Sequence, residues 1–149
     1  MRGFTVSSRL AAPADQVWEV VTSAEGVNHE LWPIVRMTVP RGWDTTLRVG
    51  HFGRSWILLG GVLPIDYDDL SLARVDEGRG FQERSVMGSA SAWHHDRSLI
   101  PVDGGCRVVD QIAFTPRLAA LGGLQALMFE ATFRWRHRRL RARFGERSS

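Results

Sequence analysis

Residues 91–114 read SAWHHDRSLIPVDGGCRVVDQIAF. Asp103-Gly104 lies between two runs of alternating apolar and polar residues, the signature of a β-hairpin with a two-residue turn. Taking that pair as the turn fixes the partners across the hairpin. Leu99 faces Val108, Arg97 faces Asp110, His95 faces Ile112 and Trp93 faces Phe114. Side chains alternate between faces along a strand, so all of these residues share one face. The other face carries His94, Asp96, Ser98, Val109 and Gln111 and is more polar. The first face is therefore expected to point inward.

The hairpin before it turns around Ser89, which sets Ser85 opposite Trp93 and Glu83 opposite His95. Its inward set is Phe81, Glu83, Ser85 and Met87. The two turns together bring Glu83, His95, Arg97 and Asp110 onto one concave face. A slip of one residue at the Ser89 turn would put Glu83 outside.

Working outward, the same punctuation continues. Strands are expected at Phe4–Leu10 (with an irregularity at Ser7-Ser8), Ile34–Val39, Arg54–Leu59, Ile65–Val75, Phe81–Met87, Ser91–Ile100 and Arg107–Phe114. Gly-rich or acidic turns separate most of them, as in a meander of antiparallel hairpins. Pro40-Arg41-Gly42-Trp43-Asp44 also reads as a turn. Ala12-Pro13-Ala14-Asp15 opens a first helix with apolar face Val17, Trp18, Val20 and Val21. Ser23 is the N-cap of a second, Ala24–Leu31, ended by Pro33. One long helix follows Pro116, from Leu118 to about Phe144. Leu121, Leu124, Met128 and Trp135 fall on one stripe of it. Leu118, Gln125, Phe129, Phe133, Leu140 and Phe144 form a second stripe. The class is α+β: strand, two short helices, six strands, long helix, in one domain over 1–149.

The chain has 149 residues and a net charge of only +3, although all 19 basic residues are Arg. That balance does not call for a nucleic-acid partner. Six Trp is many for this length, and rings with an N–H suit a space that is part apolar and part polar. The one cysteine, Cys106, excludes an intrachain disulfide and a Cys-based zinc site. Met1-Arg2-Gly3-Phe4-Thr5 has no apolar leader core, and no run approaches the ~18 residues of a membrane span. A cytoplasmic protein without stable membrane insertion is expected.

The order of elements is that of the helix-grip fold. Trp93-His94-His95-Asp96-Arg97, then Pro101 through Asp110, then Gly122 and Phe144-Gly145, resemble the SRPBCC proteins, the START-related group that includes polyketide cyclase/dehydrase-like members. Ala12-Pro13-Ala14-Asp15-Gln16-Val17-Trp18 is similar to the start of their first helix. Cys106 stands where similar sequences often have Thr after Gly-Gly. The resemblance implies a curved antiparallel sheet of about seven strands wrapped around the C-terminal helix. It further implies a cavity for a hydrophobic, lipid- or polyketide-like molecule, bound without a cofactor. A cofactor-independent cyclase or aromatase is the alternative.

Under that reading the apolar wall comprises Trp56, Leu58, Leu70, Leu72, Phe81, Trp93, Phe114, Leu124 and Met128. Glu83, His95, Arg97 and Asp110 orient the polar end of the ligand. Glu83 and His95 are also the candidates for acid–base catalysis, since a carboxylate beside an imidazole can move protons. The competing reading is a compensated polar network that fixes register, because isolated buried charges are costly.

Other groups point less sharply. Asn28-His29-Glu30 with Trp32 is expected near a pocket mouth, as capping chemistry or as a ligand contact. His51-Phe52-Gly53 suits a strand connection or a gating loop. Asp66, Asp68 and Asp69 lack the spacing of a calcium loop and read as a solvated strand end. Adjacent His94 and His95 point to opposite faces and cannot share a metal, so no metal is expected. Arg134, Arg136, Arg138, Arg139, Arg141, Arg143 and Arg147 read as a solvated helix face that suits the helix dipole. A membrane-associated or regulatory role for that basic end is a third possibility.

Overall fold

A computed structural model describes residues 1–43 and 47–146; Asp44 of the expected turn and Arg147 of the basic cluster lie outside them. In chain order the elements are β1 (Arg2–Leu10), α1 (Ala14–Val21), α2 (Ala24–Leu31), β2 (Val35–Met37), β3 (Gly50–Leu59), β4 (Leu63–Asp76), β5 (Gly80–Met87), β6 (Ala90–Val102), β7 (Gly105–Pro116) and α3 (Gly122–Phe144), the last preceded by a 3-10 turn, Ala119–Leu121. The seven strands form one antiparallel sheet in the order β1-β7-β6-β5-β4-β3-β2. It curls around α3, with α1 and α2 closing one end: the helix-grip arrangement.

Local chemistry places the elements. Pro13 caps α1 in an extended conformation, and Val17, Trp18 and Val21 bury its apolar face. Ser23 Oγ accepts the Gly26 N–H at 2.9 Å and so starts α2. The β6–β7 hairpin pairs Trp93 with Phe114, His95 with Ile112, Arg97 with Asp110 and Leu99 with Val108. The β5–β6 pairing sets Glu83 against His95 and Ser85 against Trp93. Both registers are those the turn residues dictate, and every member of these pairs is buried.

Two expectations change. β1 runs in unbroken register with β7 through Ser7 and Ser8. Ser8 occupies an inward position between Val6 and Leu10, so the alternation continues with one polar member. Beyond Gly122 at its first position, the buried residues of α3 are Phe133, Arg136, His137 and Leu140, an i, i+3, i+4, i+7 stripe. Leu121, Leu124 and Met128, expected on a helix face packed inward, are half or more exposed. Apolar spacing fails as a guide here because two of these four positions, Arg136 and His137, are polar and have partners elsewhere.

Gly104 takes φ +78°, the left-handed conformation that a two-residue turn requires. Its neighbour Gly105 is needed for a different reason: a Cβ there would lie 1.8 Å from the Leu10 carbonyl oxygen of β1. Gly105→Ala is expected to cost about 2–3 kcal/mol, the upper end of overpacking penalties, read as a lowered urea midpoint with unchanged slope.

Candidate functional site

A cavity of about 220 Å³ opens between the concave face of β3–β6 and the helices α2 and α3. Its walls are mainly apolar, and Leu70, Leu72, Phe81, Trp93, Phe129 and Phe133 contribute to them. Among the expected site residues, Leu70, Leu72, Phe81, Glu83, Trp93, His95 and Met128 line it. Phe114 does not; it is fully buried behind Trp93 and Phe129, its ring centroids 6.4 and 5.0 Å from theirs. Leu124 is exposed on α3, one turn before Met128.

Trp56 and Leu58 are also outside the lining, which takes Ile57 and Leu59 instead. The β3–β4 pairing explains the exchange. It sets Ile57 against Asp66 and Ser55 against Asp68, with irregularities at His51/Gly53 and Ile57/Leu58. Odd-numbered residues of β3 therefore meet the inward, even-numbered residues of β4. Trp56 stands on the outer face with Tyr67, centroids 5.5 Å apart, and Arg54 lies over Tyr67 at 3.9 Å. His51-Phe52-Gly53 sits within β3 at the first irregularity, with Phe52 buried.

Arg97 and Asp110 are sealed below the cavity floor in a charge network. Asp110 accepts His95 Nε2 at 2.7 Å and Arg97 Nε at 2.8 Å on Oδ1, and Arg97 Nη2 and His137 Nε2, both at 2.7 Å, on Oδ2. All four acceptor sites of an ionised carboxylate are filled. Burial alone would raise its pKa, but the Arg97 charge and these hydrogen bonds hold it well below the usual carboxylate range. On its other side Arg97 donates to Glu30 at 2.9 and 3.1 Å, and Arg136 Nε reaches Glu30 Oε1 at 3.1 Å. Glu30 is fully buried and is likewise held below its ordinary value, since the two guanidinium groups outweigh desolvation. The Arg97 pKa is raised by its two carboxylates against the opposing effect of burial.

Hydrogen-bond direction fixes the imidazoles. A carboxylate only accepts, so His95 and His137 both carry hydrogen on Nε2. Burial pushes the His137 pKa down, so its Nδ1 accepts the Ser8 hydroxyl at 2.7 Å, while Ser8 Oγ accepts Arg141 Nη1 at 2.8 Å. Asp110–His137–Ser8 has the connectivity of an acyl-transfer relay. Ser8, however, does not line the cavity, and its oxygen is occupied by Arg141. The relay ties β1 and β7 to α3.

His95 Nδ1 is left facing the cavity side, 3.8 Å from Glu83 Oε1. Ser85 donates to Glu83 Oε2 at 2.7 Å and accepts the Ser71 N–H at 3.0 Å. Against Glu83 stands Asp68, which is not in the solvated strand end expected of it. It is 4% exposed and lines the cavity. Desolvation first, then the charge of Glu83, raise its pKa well above the carboxylate norm. Burial also acts to raise Glu83, but the neighbouring His95 and Asp68 and the Ser85 hydrogen bond leave it below its norm. The pair thus holds one proton on Asp68. Among the described residues, Asp68 Oδ1 is buried with no hydrogen-bond partner. Of its acidic neighbours, Asp66 is occupied by Ser89 and the Tyr67 N–H, and Asp69 by His51 at 2.8 Å.

Sequence reasoning missed Asp68, Arg136, His137 and Ser8, and ranked Glu30 as capping chemistry. Parity with inward Leu70 and Leu72 was the available signal for Asp68. For Arg136 and His137 it was their spacing from Phe133 and Leu140.

The fold recurs in solved structures of low sequence identity. Protein CV1439 from Chromobacterium violaceum superposes with a TM-score of 0.76 at 13% identity, over 97% of this chain and 98% of that one. DynU16, from the dynemicin biosynthetic locus, gives 0.64 at 15% identity over 97% of this chain and 48% of its own. Ara h 8.0201 gives 0.63 at 10% identity over 95% and 98%. Among curated proteins, none matches the sequence. Among the described residues, no helix is long and apolar enough to cross a membrane. A family model for a domain of unknown function, DUF8410, matches residues 8–144, nearly the whole length, and the chain belongs to that family.

Proposed function

We propose that this protein binds a small apolar molecule in the cavity between sheet and α3, with the molecule's polar end at Asp68, Glu83 and His95. The observation that carries the reading is an apolar cavity whose inner wall holds a buried carboxyl with one unpartnered oxygen, Asp68 Oδ1. Such a group is costly to leave unsatisfied, and a ligand that satisfies it recovers that cost. The likeness of the sequence to SRPBCC proteins supports the same reading, as does the fold shared with DynU16 and Ara h 8.0201. The working unit is a single domain over 1–149, acting in the cytoplasm without a cofactor. Arg97 and Asp110 serve the site by orienting His95 rather than by touching ligand. Native mass spectrometry of the purified protein, with extraction of anything bound, tests the reading. A co-purifying apolar molecule that Leu70→Trp, which adds bulk to the cavity wall, abolishes supports it. Binding that survives this filling of the cavity sinks it.

A cyclase- or aromatase-like reaction is the second reading, favoured by the Glu83–His95 contact at the cavity wall. It would use Glu83 as base and the cavity to align the reacting carbons. Glu83→Gln should then abolish turnover of the extracted compound while its affinity is kept. Equal loss of both would make Glu83 an anchor only.

A further inference from the structure

Among the described residues, four carboxyls are buried: Glu30, Asp68, Glu83 and Asp110. Only two guanidinium groups are buried with them, those of Arg97 and Arg136. Counting His95 as a full cation still leaves one carboxyl without a counter-charge, because burial pushes His137 towards its neutral form. The uncompensated carboxyl is Asp68. Both guanidinium groups are already committed to Glu30 or Asp110. A proton on Asp68 stands in for the missing cation; with Asp68 ionised the buried interior is one cation short, and the shortfall lies on the cavity wall.

The charged and titratable groups that face the cavity are Asp66 and Asp68 from β4, Glu83 from β5, His95 from β6 and Arg136 from α3. Arg136 donates Nε to Glu30 and lies 4.8 Å from the Phe133 ring centroid, on the helix side. Asp68 and Glu83 are on the sheet side. Phe81 and Trp93, neighbours of Glu83 and His95 across the β5–β6 ladder, offer aromatic surface beside the carboxyls.

We infer that the cavity selects apolar molecules bearing a protonated amine, which the Asp68 carboxyl accepts beside Glu83. This rests on the binding function proposed above and names its ligand class. An ammonium displaces the Asp68 proton to solvent and supplies the missing cation and the missing donor in one group. Aspartate χ2 is a soft torsion, so either oxygen of Asp68 turns to the cavity at little cost. The aromatic surface of Phe81 and Trp93 favours a cation over a neutral head. The volume, about 220 Å³, is below the ~300 Å³ of sites for drug-sized ligands and suits a short chain or a single ring system.

Isothermal titration with n-octylamine, 1-octanol and octanoate separates the possibilities, since an aliphatic amine is protonated at neutral pH. The amine is expected to bind at least about tenfold more tightly than the alcohol, the usual gain of a charge-assisted hydrogen bond. Asp68→Asn should remove that preference, bringing the amine to the affinity of 1-octanol or below it. Glu83→Gln should weaken it if the first variant fails to fold. Equal binding of amine and alcohol, or a preference that survives Asp68→Asn, overturns the inference but leaves the apolar-ligand reading standing. Tightest binding of octanoate overturns it in favour of Arg136. If none of the three probes binds, both readings fall.

Discussion

Replacing Arg97 by methionine is expected to cost about 3–5 kcal/mol of folding stability at neutral pH, the loss seen when one partner of a buried ion pair is removed. Arg97 is 1% exposed and stands between Glu30 and Asp110, each of which takes two of its hydrogen bonds. Without it, Asp110 keeps only two imidazole donors, and Glu30 keeps only Arg136. A domain of this size is stable by only about 5–15 kcal/mol, so the variant should populate unfolded chain at modest urea. Lost packing alone would produce a deficit insensitive to pH. Stranded carboxylates instead produce one that shrinks in acid, where both can be protonated. Arg97→Lys keeps the charge but cannot span two carboxylates with a planar fork, and it should fall between the variant and the parent. A methionine variant with the parental urea midpoint would show that the network is neutral towards stability.

What could be read from the sequence follows how each residue's environment is encoded. The Asp103-Gly104 turn and the Ser89 turn fix parity locally, so the inward placement of Glu83, His95, Arg97 and Asp110 needed no distant information. The irregularities of β3 have no comparable mark, and parity was lost there: Trp56 and Leu58 went to the wrong face. Asp68 was hidden by its neighbours Asp66 and Asp69, which do find partners at the strand end. Arg136 and His137 were hidden in a different way, by a run of arginines whose other members are mostly exposed. Their burial is decided by Glu30, 106 residues from Arg136, and by Asp110, 27 residues from His137. A polar residue in an apolar stripe becomes legible only together with its partner. Here the partners lie on elements that meet only after the sheet has curled around α3.

Folding stability is expected to fall in acid and in alkali for two separable reasons. Glu30, Glu83 and Asp110 have folded-state pKa values below their ordinary ones. The stability they contribute is present above the ordinary carboxyl range and is lost as pH falls through their depressed values. The acid limb should therefore be steep below about pH 5. Asp68 has the opposite sign. Its folded-state pKa is raised, so the folded protein keeps a proton that the unfolded chain has given up. Stability therefore declines as pH rises from the ordinary carboxyl range to the raised value and is level beyond it. Asp68→Asn removes this limb alone, because an amide N–H can donate to Glu83 as the shared proton does and never ionises. The variant should match the parent near pH 4 and exceed it in mild alkali, while the acid limb stays where it was. Urea midpoints of the two proteins across that range make the comparison. A gain of equal size at both ends would mean that Asp68 is strained rather than charged. A variant less stable than the parent in alkali would mean that its carboxylate has a cation partner and that the interior is not one cation short. Stabilisation in alkali combined with loss of amine binding would identify Asp68 as a group kept at the expense of stability, as binding residues often are.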